Sequence, residues 1–362
     1  MTTGRIAHVP LPLITMNLTL FIPDLFWPDT AQPEIYQGLP VAAIEKLLSK
    51  SAVRVTAPEE MDGWLCNRFN VARQSGSWPV APLMLHSDAP VLAENDKEFW
   101  MRADPVHLRI EQNHLMLADS RMFNVTDEEA GQLVQDLNRG LANHGIVLQA
   151  LRADRWYVRL PQAPAMQTYT LDQVTCRNIN YFLPDGSDSM FWRKLLNEVQ
   201  MQLHEHPVNQ ARESGGELSI NSLWFWGGGY MPESVHTDDT HVWSNGGLAQ
   251  ALAGACRVTY GNLPLDVAVW LRAQETGEHL VVLDGLHAKA KYRDAYGWRE
   301  MLREVEQNWF VPICEALADG AIGRLQVMTS NAHVNLNFTA TRADLWKFWL
   351  MRKSMFVYAK KQ

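Results

Sequence analysis

Apolar positions along this chain follow two rhythms that alternate several times. NLTLFIPDLF (17–26) is a continuous apolar run closed by a turn, which predicts a buried strand. LPVAAIEKLLSKS (39–51) places Val41, Ile44, Leu47 and Leu48 at helical spacing. A strand followed by a helix predicts an α/β core. The stretch 64–92, rich in Trp, Pro and Ser, keeps neither rhythm and reads as irregular. From Phe99 the texture changes. VHLRIEQNHLMLAD predicts two strands joined at Gln112–Asn113. TDEEAGQLVQDLNRGLANHG predicts a helix opened by a capping box of Thr126 and Glu129. Its apolar face is Ala130, Leu133, Val134, Leu137 and Leu141, and Gly145 is its stop. IVLQALRADRWYVRL predicts two strands around Ala153–Asp154.

This ββαββ texture predicts an α+β domain at 96–186, set into an α/β core formed by 1–95 and 187–362. FWRKLLNEVQMQLHEH then predicts a helix with Trp192, Leu196, Val199 and Leu203 on its buried stripe, ended by Pro207. SLWFW, LDVAVWL, HLVVLDGL and LQVMTS read as strands, and 294–318 as one long helix. Strands alternating with helices favour a parallel sheet.

Composition narrows the function classes. A chain of 362 residues fits one large domain or two. Its formal net charge of −8 argues against a nucleic-acid surface, and the basic ending Arg352, Lys353, Lys360, Lys361 reads as a solvated tail. The four cysteines never form CxxC, so a zinc ribbon is not expected and a cytoplasmic location is. Pro10, Pro12 and Pro23 break the apolar start, so no signal peptide is expected. With no apolar run of about 18 residues, no membrane partner is expected either.

Several clusters could carry chemistry. His204 and His206 lie two apart, which puts them on opposite sides of a helix, so they do not share a metal there. Arg212 could grip a phosphate or carboxylate through its forked donors, or pin a turn to the core. WGGG could let a ligand approach the backbone, or form a turn with positive φ. HTDDTH (236–241) fits a metal loop or a solvated turn. Asp284, His287, Asp294 and His333 form a C-terminal set, with Asp284 at a strand end where α/β sheets bind ligands.

WMRADPVHL, WRKLLNEVQMQLHEHPVNQARE and INSLWFWGGG resemble a proteobacterial family described as the E-type regulator of pathogenicity factors, or as phosphoglycerate mutase-like. More distantly, the chain is similar to archaeal-type cofactor-independent phosphoglycerate mutases of the alkaline-phosphatase superfamily. That resemblance implies an α/β alkaline-phosphatase-like core with an inserted smaller α+β domain. Where those enzymes have Arg-x-Asn-Phe, this chain has Arg102–Ala103–Asp104–Pro105, and their Asp-Arg-Arg faces Asp119–Ser120–Arg121. Their His-Pro-x-Asn…Arg is matched by His206, Pro207, Asn209 and Arg212. Asn221 is retained, but Trp226 replaces the arginine ahead of Gly227 and Gly228. The implied ligand-binding set is Arg102, Arg121, His206, Asn209, Arg212, Asn221, Gly227 and Gly228.

The metal motifs depart further. Pro23–Asp24–Leu25 stands for a strand-ending Asp-Gly, no serine matches the nucleophile, and LDGLHAKAKYRD and TSNAHV face the remaining ligand motifs. Asp24, Asp284 and His333 are the metal candidates left. A two-metal phosphomutase needs both ions to polarise the phosphoryl group and activate the nucleophile. The resemblance therefore implies a catalytically degenerate, regulatory protein without a cofactor, with a phosphorylated small metabolite or a protein as partner. The alternatives are an active Mn²⁺- or Zn²⁺-dependent mutase or phosphatase, and a protein-interaction module whose surface is Trp224, Trp226 and Trp243.

Overall fold

The apolar run near the N-terminus forms β1 (Met16–Phe21), the central strand of a seven-stranded sheet. The computed structural model describes residues 16–94, 97–111, 114–273, 276–331 and 333–360. β1 pairs in parallel with β10 (Gly277–Val282) and β11 (Ile322–Ser330). Beyond β10 lie β8 (His241–Trp243) and β9 (Thr259–Gly261), both parallel. Beyond β11, β12 (Asn335–Thr341) runs antiparallel to β11, and the edge strand β2 (Ala52–Thr56) runs antiparallel to β12.

Strand alternation sends side chains to two cores. Leu18, Leu20 and Val281 join a core built on α1 (Ala42–Lys50), α9 (Val267–Ala273), α10 (Gly285–Lys291), α11 (Ala295–Val305), α12 (Val311–Asp319) and α13 (Phe356–Ala359). Phe21, Leu280 and Val282 join a second core with α2 (Met61–Arg68), α3 (Val80–Asp88) and α8 (Gly247–Cys256). A mainly parallel sheet covered on both faces is the layered answer to strands apolar on both sides.

The chain leaves this sheet after β2 and returns at β8. Between them, β3 (Phe99–Glu111), β4 (His114–Ala118), β5 (Val147–Arg152) and β6 (Arg155–Leu160) form an antiparallel sheet in the order β4-β3-β6-β5, and β7 (Ser222–Gly229) pairs with β3. One face carries α4 (Asp127–Leu141) and α6 (Ser189–His204), through Leu133, Leu137, Trp192 and Val199. On β7, Leu223 and Phe225 face that core, while Trp224 and Trp226 face the core of α2, α3 and α8. The expected break at 187 falls just before α6, which packs on β7, and β7 pairs with β3, so residues on both sides of 187 share one core.

Other expectations shift for physical reasons. The stretch 64–92 holds α2 and α3; α3 is buried on every side from Val80 to Leu85, so it shows no amphipathic stripe. LDVAVWL is the helix α9, not a strand, with Val267 and Trp270 buried at i and i+3. The helix expected at 294–318 is interrupted by a π turn at 306–310, whose Glu306 carboxylate accepts from Ala43 N (2.7 Å) and Ile44 N (2.9 Å) at the start of α1. The capping box of Thr126 and Glu129 forms as expected. The turn at Gln112–Asn113 lies outside the described residues. Among the described residues, no helix is long and apolar enough to cross a membrane.

Candidate functional site

A cavity of about 340 Å³ opens beyond the carboxyl ends of the parallel strands β8 and β10. The loop after β8 supplies Ser244 and Gly246, the first residue of α8 supplies Gly247, and β10 leads into Asp284. The first turn of α2 adds Asp62, and the second sheet adds Arg102, Asp104, Asp154, Arg155 and Trp226. Asp119, Arg121 and Asp172 complete the polar wall; Asp172 is in the first turn of α5 (Leu171–Val174). The edge of a parallel sheet is where open α/β folds hold ligands. Helix α8 points its N-terminus here: Gly246 is its N-cap, no side chain caps it, and Gly247, Leu248 and Ala249 line the cavity. Its first-turn N–H groups and dipole favour an anion.

Charged groups on the wall are largely tied to one another. Arg102 donates from Nε (3.0 Å) and Nη2 (2.6 Å) to Asp104 Oδ1, and Trp226 Nε1 donates to Asp104 Oδ2 (2.7 Å). Burial still lifts Asp104 above the ordinary carboxylate range, against Arg102 and Trp226. Arg121 grips Asp119 with Nε and Nη2 and donates from Nη1 to Asp172 Oδ1 (3.0 Å). Tyr292 adds a hydroxyl donor to Asp119 (2.8 Å). Asp119 is held below its ordinary pKa: burial opposes this, but the Arg121 contacts outweigh it. Arg155 pairs with Asp88 at 3.2 Å and lies over the start of α8; a Cβ on Gly247 would stand 2.6 Å from Arg155 Nη1. Arg155 keeps about a quarter of its side chain exposed, against 5% for Arg102.

Behind the wall, His287 joins two carboxylates. Its Nδ1 lies 2.7 Å from Asp24 Oδ2. Its Nε2 lies 3.0 Å from Asp172 Oδ2, an ion contact off the hydrogen-bonding axis. Burial works against a charged imidazole, but Asp172 and Asp24 raise its pKa to about 10. Asp172 is held well below the usual range because His287 and Arg121 outweigh its burial. Asp62 goes the other way: burial first, then the charge of Asp172, push it up to about 7. Asp284 is also raised, mainly by burial.

The metal candidates do not converge. Asp284 lines the cavity, whereas Asp24 and His333 line a separate cleft of about 120 Å³ with Lys291 and Arg293. His287 stands between them, in contact with both Asp24 and Asp172. Among the described residues, no group of three or more His, Cys, Asp or Glu side chains is arranged to hold a metal ion. Asp294 caps α11 by accepting from Gly297 N (2.8 Å). In HTDDTH, Asp239 pairs with Arg68 (2.6 Å), His236 is exposed, and His241 stacks on His279 at 4.4 Å.

The expected ligand-binding set divides. Arg102 and Arg121 line the cavity; the residues from 206 to 221 do not. Pro207 does not merely end a helix: it is the first residue of α7 (Pro207–Ser214), where a missing N–H is harmless, and His206 is the N-cap, accepting from Val208 N (3.2 Å). Asn209 donates to Leu203 O and Ile220 O (both 2.8 Å) and accepts from Ile220 N (2.7 Å). Arg212 donates to Leu218 O (2.7 Å) and Glu129 Oε1 (2.7 Å). Asn221 accepts from Leu108 N (2.7 Å) and donates to Leu108 O (2.8 Å). Those contacts satisfy backbone groups at helix ends and strand edges, which is a structural duty.

WGGG is likewise a strand, not a turn. A Cβ on Gly228 would meet Met101 at 2.8 Å and Phe99 at 2.9 Å, so close packing explains it. Gly227 has φ 64°, a Cβ there would meet Val80 at 3.1 Å, and it lines a separate cleft of about 80 Å³ instead of the main cavity. Trp224 and Trp226 are buried and Trp243 is half-buried, which removes the expected tryptophan surface.

Asp62, Asp172, Arg155, Ser244 and Gly246 were not singled out by the sequence pattern. Asp172 sits within a capping box of Thr170 and Gln173, a local signal that marks a helix start but not a cavity. Asp62 lies between the helix read at 39–51 and the irregular stretch 64–92, where no pattern was read.

No family model matches the chain. A 2,3-bisphosphoglycerate-independent phosphoglycerate mutase from Methanosarcina mazei is 28% identical over 155 residues, which is 42% of this chain and 38% of the relative. The enzyme of that name from Methanosarcina barkeri is 27% identical over 155 residues, 42% of this chain and 37% of the relative. The match thus spans less than half of the length of these relatives. Among solved structures, the PH0037 protein from Pyrococcus horikoshii has a TM-score of 0.52 at 11% identity, covering 90% of this chain and 87% of that one. The cofactor-independent phosphoglycerate mutase from Thermoplasma acidophilum gives a TM-score of 0.47 at 12% identity, covering 95% and 94%. The chain has a mixed α/β fold and is distantly similar to archaeal-type cofactor-independent phosphoglycerate mutases.

Proposed function

We propose that this chain is a catalytically degenerate relative of those mutases that binds a phosphorylated small metabolite and acts as a regulatory protein. The observation that carries this reading is the buried His287, which spans Asp24 and Asp172 at 2.7 and 3.0 Å. An imidazolium supplies there the positive charge that a metal ion would otherwise bring to the two carboxylates. In this reading the core is alkaline-phosphatase-like, the second sheet is the inserted unit, and the chain groups with the proteobacterial regulator family. The phosphate end of the ligand sits at the N-terminus of α8, beneath Arg155. Fixed N–H groups and a partly exposed guanidinium suit a phosphate without needing a nucleophile.

The test combines elemental analysis of the purified protein, a 2- and 3-phosphoglycerate interconversion assay with added Mn²⁺, and thermal denaturation with 3-phosphoglycerate. The expected result is no stoichiometric Mn²⁺ or Zn²⁺, no turnover above background, and a ligand-dependent rise in Tm. Robust interconversion that is lost on chelation would overturn the reading. It would establish instead the second reading, an active metal-dependent mutase, which the 28% identity to the Methanosarcina mazei enzyme favours.

A further inference from the structure

Among the described residues, exposed aromatic side chains gather far in sequence from the cavity residues, after the last strand of the first sheet. Beyond β12, a 3-10 turn at Arg342–Trp346 leads into WKFWLMRK (346–353). Trp346, Phe348, Trp349 and Met351 are 73%, 85%, 66% and 83% exposed. Phe348 and Trp349 meet edge to face at 5.2 Å. Their backbone is fixed: Phe348 N donates to Trp346 O (2.7 Å) and Leu350 N to Lys347 O (3.1 Å). The base is fastened to α1, with Lys50 Nζ donating to Leu345 O (2.6 Å) and Lys353 N to Ser49 Oγ (2.7 Å). These rings are therefore held outward on an anchored turn. The sequence pattern read the basic ending as a solvated tail; the structure places its Arg352 and Lys353 directly after a run of exposed apolar side chains, which calls for a partner.

We propose that this turn docks the protein on an anionic lipid surface. The charge is complementary. Although the whole chain carries −8, the segment 342–360 contains Arg342, Lys347, Arg352, Lys353 and Lys360 against the single acidic Asp344. Tryptophan rings favour the headgroup level of a bilayer, and Lys and Arg stems cross apolar surface while their charges stay with phosphates. The pairs Lys347–Asp344 and Arg352–Glu45 sit in partly exposed positions, where lipid phosphates can compete for the cations.

Size and shape favour lipid over protein. The exposed rings and Met351 offer on the order of 500 Å², at 150–250 Å² for a whole aromatic side chain. A stable protein interface needs about 800 Å² per partner. A projecting turn inserts into a bilayer without needing a complementary groove. This inference is independent of what the cavity binds.

The test uses the full chain and phosphatidylcholine vesicles with and without phosphatidylglycerol. Co-sedimentation should rise at least about tenfold with phosphatidylglycerol and fall as salt is raised. Trp346→Ser/Phe348→Ser/Trp349→Ser should abolish it while the Tm stays unchanged, and Lys353→Ala should weaken it roughly fivefold. Quenching of wild-type tryptophan fluorescence by brominated phosphatidylglycerol supplies a readout that needs no variant. Absent sedimentation and quenching, or sedimentation that the aromatic triple variant retains, overturns the proposal. So does a concentration-dependent dimer that this variant abolishes without any vesicle binding, which would identify the turn as a contact between copies of the chain.

Discussion

Arg212 and Arg121 are both arginines beside carboxylates, yet they serve opposite kinds of surroundings. Arg212 has only 2% of its side chain exposed and divides its donors between a backbone carbonyl and Glu129. Arg121 keeps 28% exposed and gives its donors to the side chains of Asp119, Asp172 and Thr175 around an open cavity. The cluster at 206–221 spends its polar groups on helix ends and a strand edge. The cavity cluster pairs side chain with side chain and leaves volume between them. Residue type does not separate a structural cluster from a binding one; the identity of the hydrogen-bond partners does.

The strongest way to break this contrast is to remove the cation behind the cavity. His287→Leu leaves Asp24 and Asp172 facing each other without their imidazolium, and should lower unfolding free energy by about 3–5 kcal/mol in urea denaturation. A loss under about 1 kcal/mol would mean that His287 is not a charged bridge. The same bridge gives the wild type a pH signature. With a folded pKa of about 10 against an ordinary 6.5, folded protein holds a proton that unfolded chain releases. Its contribution is full below about pH 6.5 and is lost as pH rises through about 10.

Arg212→Ala should come next, at about 2–3 kcal/mol, because it strips Leu218 O and Glu129 of a buried donor. It should leave the Tm shift caused by 3-phosphoglycerate intact, and a lost shift would return this cluster to the binding site.

Asp62→Asn reverses the sign. The carboxyl sits near pKa 7, so its ionisation burdens the folded state progressively from about pH 4 to above pH 7. Melting curves should show the variant more stable by about 1–2 kcal/mol at pH 8 and nearly unchanged at pH 4. Equal effects at both pH values would contradict a buried, proton-holding Asp62.

Arg155→Ala should have the smallest effect on folding, about 1 kcal/mol or less, since Arg155 is a quarter exposed and the buried Asp88 carboxylate keeps the Tyr157 hydroxyl as a donor at 2.7 Å. It should nevertheless abolish the 3-phosphoglycerate shift. Retention of the shift would move the phosphate away from the start of α8.

Elements whose local chemistry agreed with their burial were legible in the sequence. The capping box of Thr126 and Glu129, the stripe of α4, the run of β1 and the stripe of α6 each carry their own pattern. Helix α3 was not legible because it is buried on all sides, and α9 was not because LDVAVWL is rich in β-formers yet packs only Val267 and Trp270 inward. Arg102 and Arg121 were legible as a resemblance. Asp62 and Asp172 were not, since a single aspartate at a helix start looks the same whether it meets solvent or a buried histidine.

By itself the sequence determined the alternation of strands and helices, the acidic balance and the helix starts, because these depend on side chains a few residues apart. Only the tertiary structure decided which polar residues meet. Asp24 and His287 are 263 positions apart, and β7 joins β3 across more than a hundred residues. Burial and charge pairing act through space, so the proton on His287 and the division between the two arginines arise only when the sheets close around them.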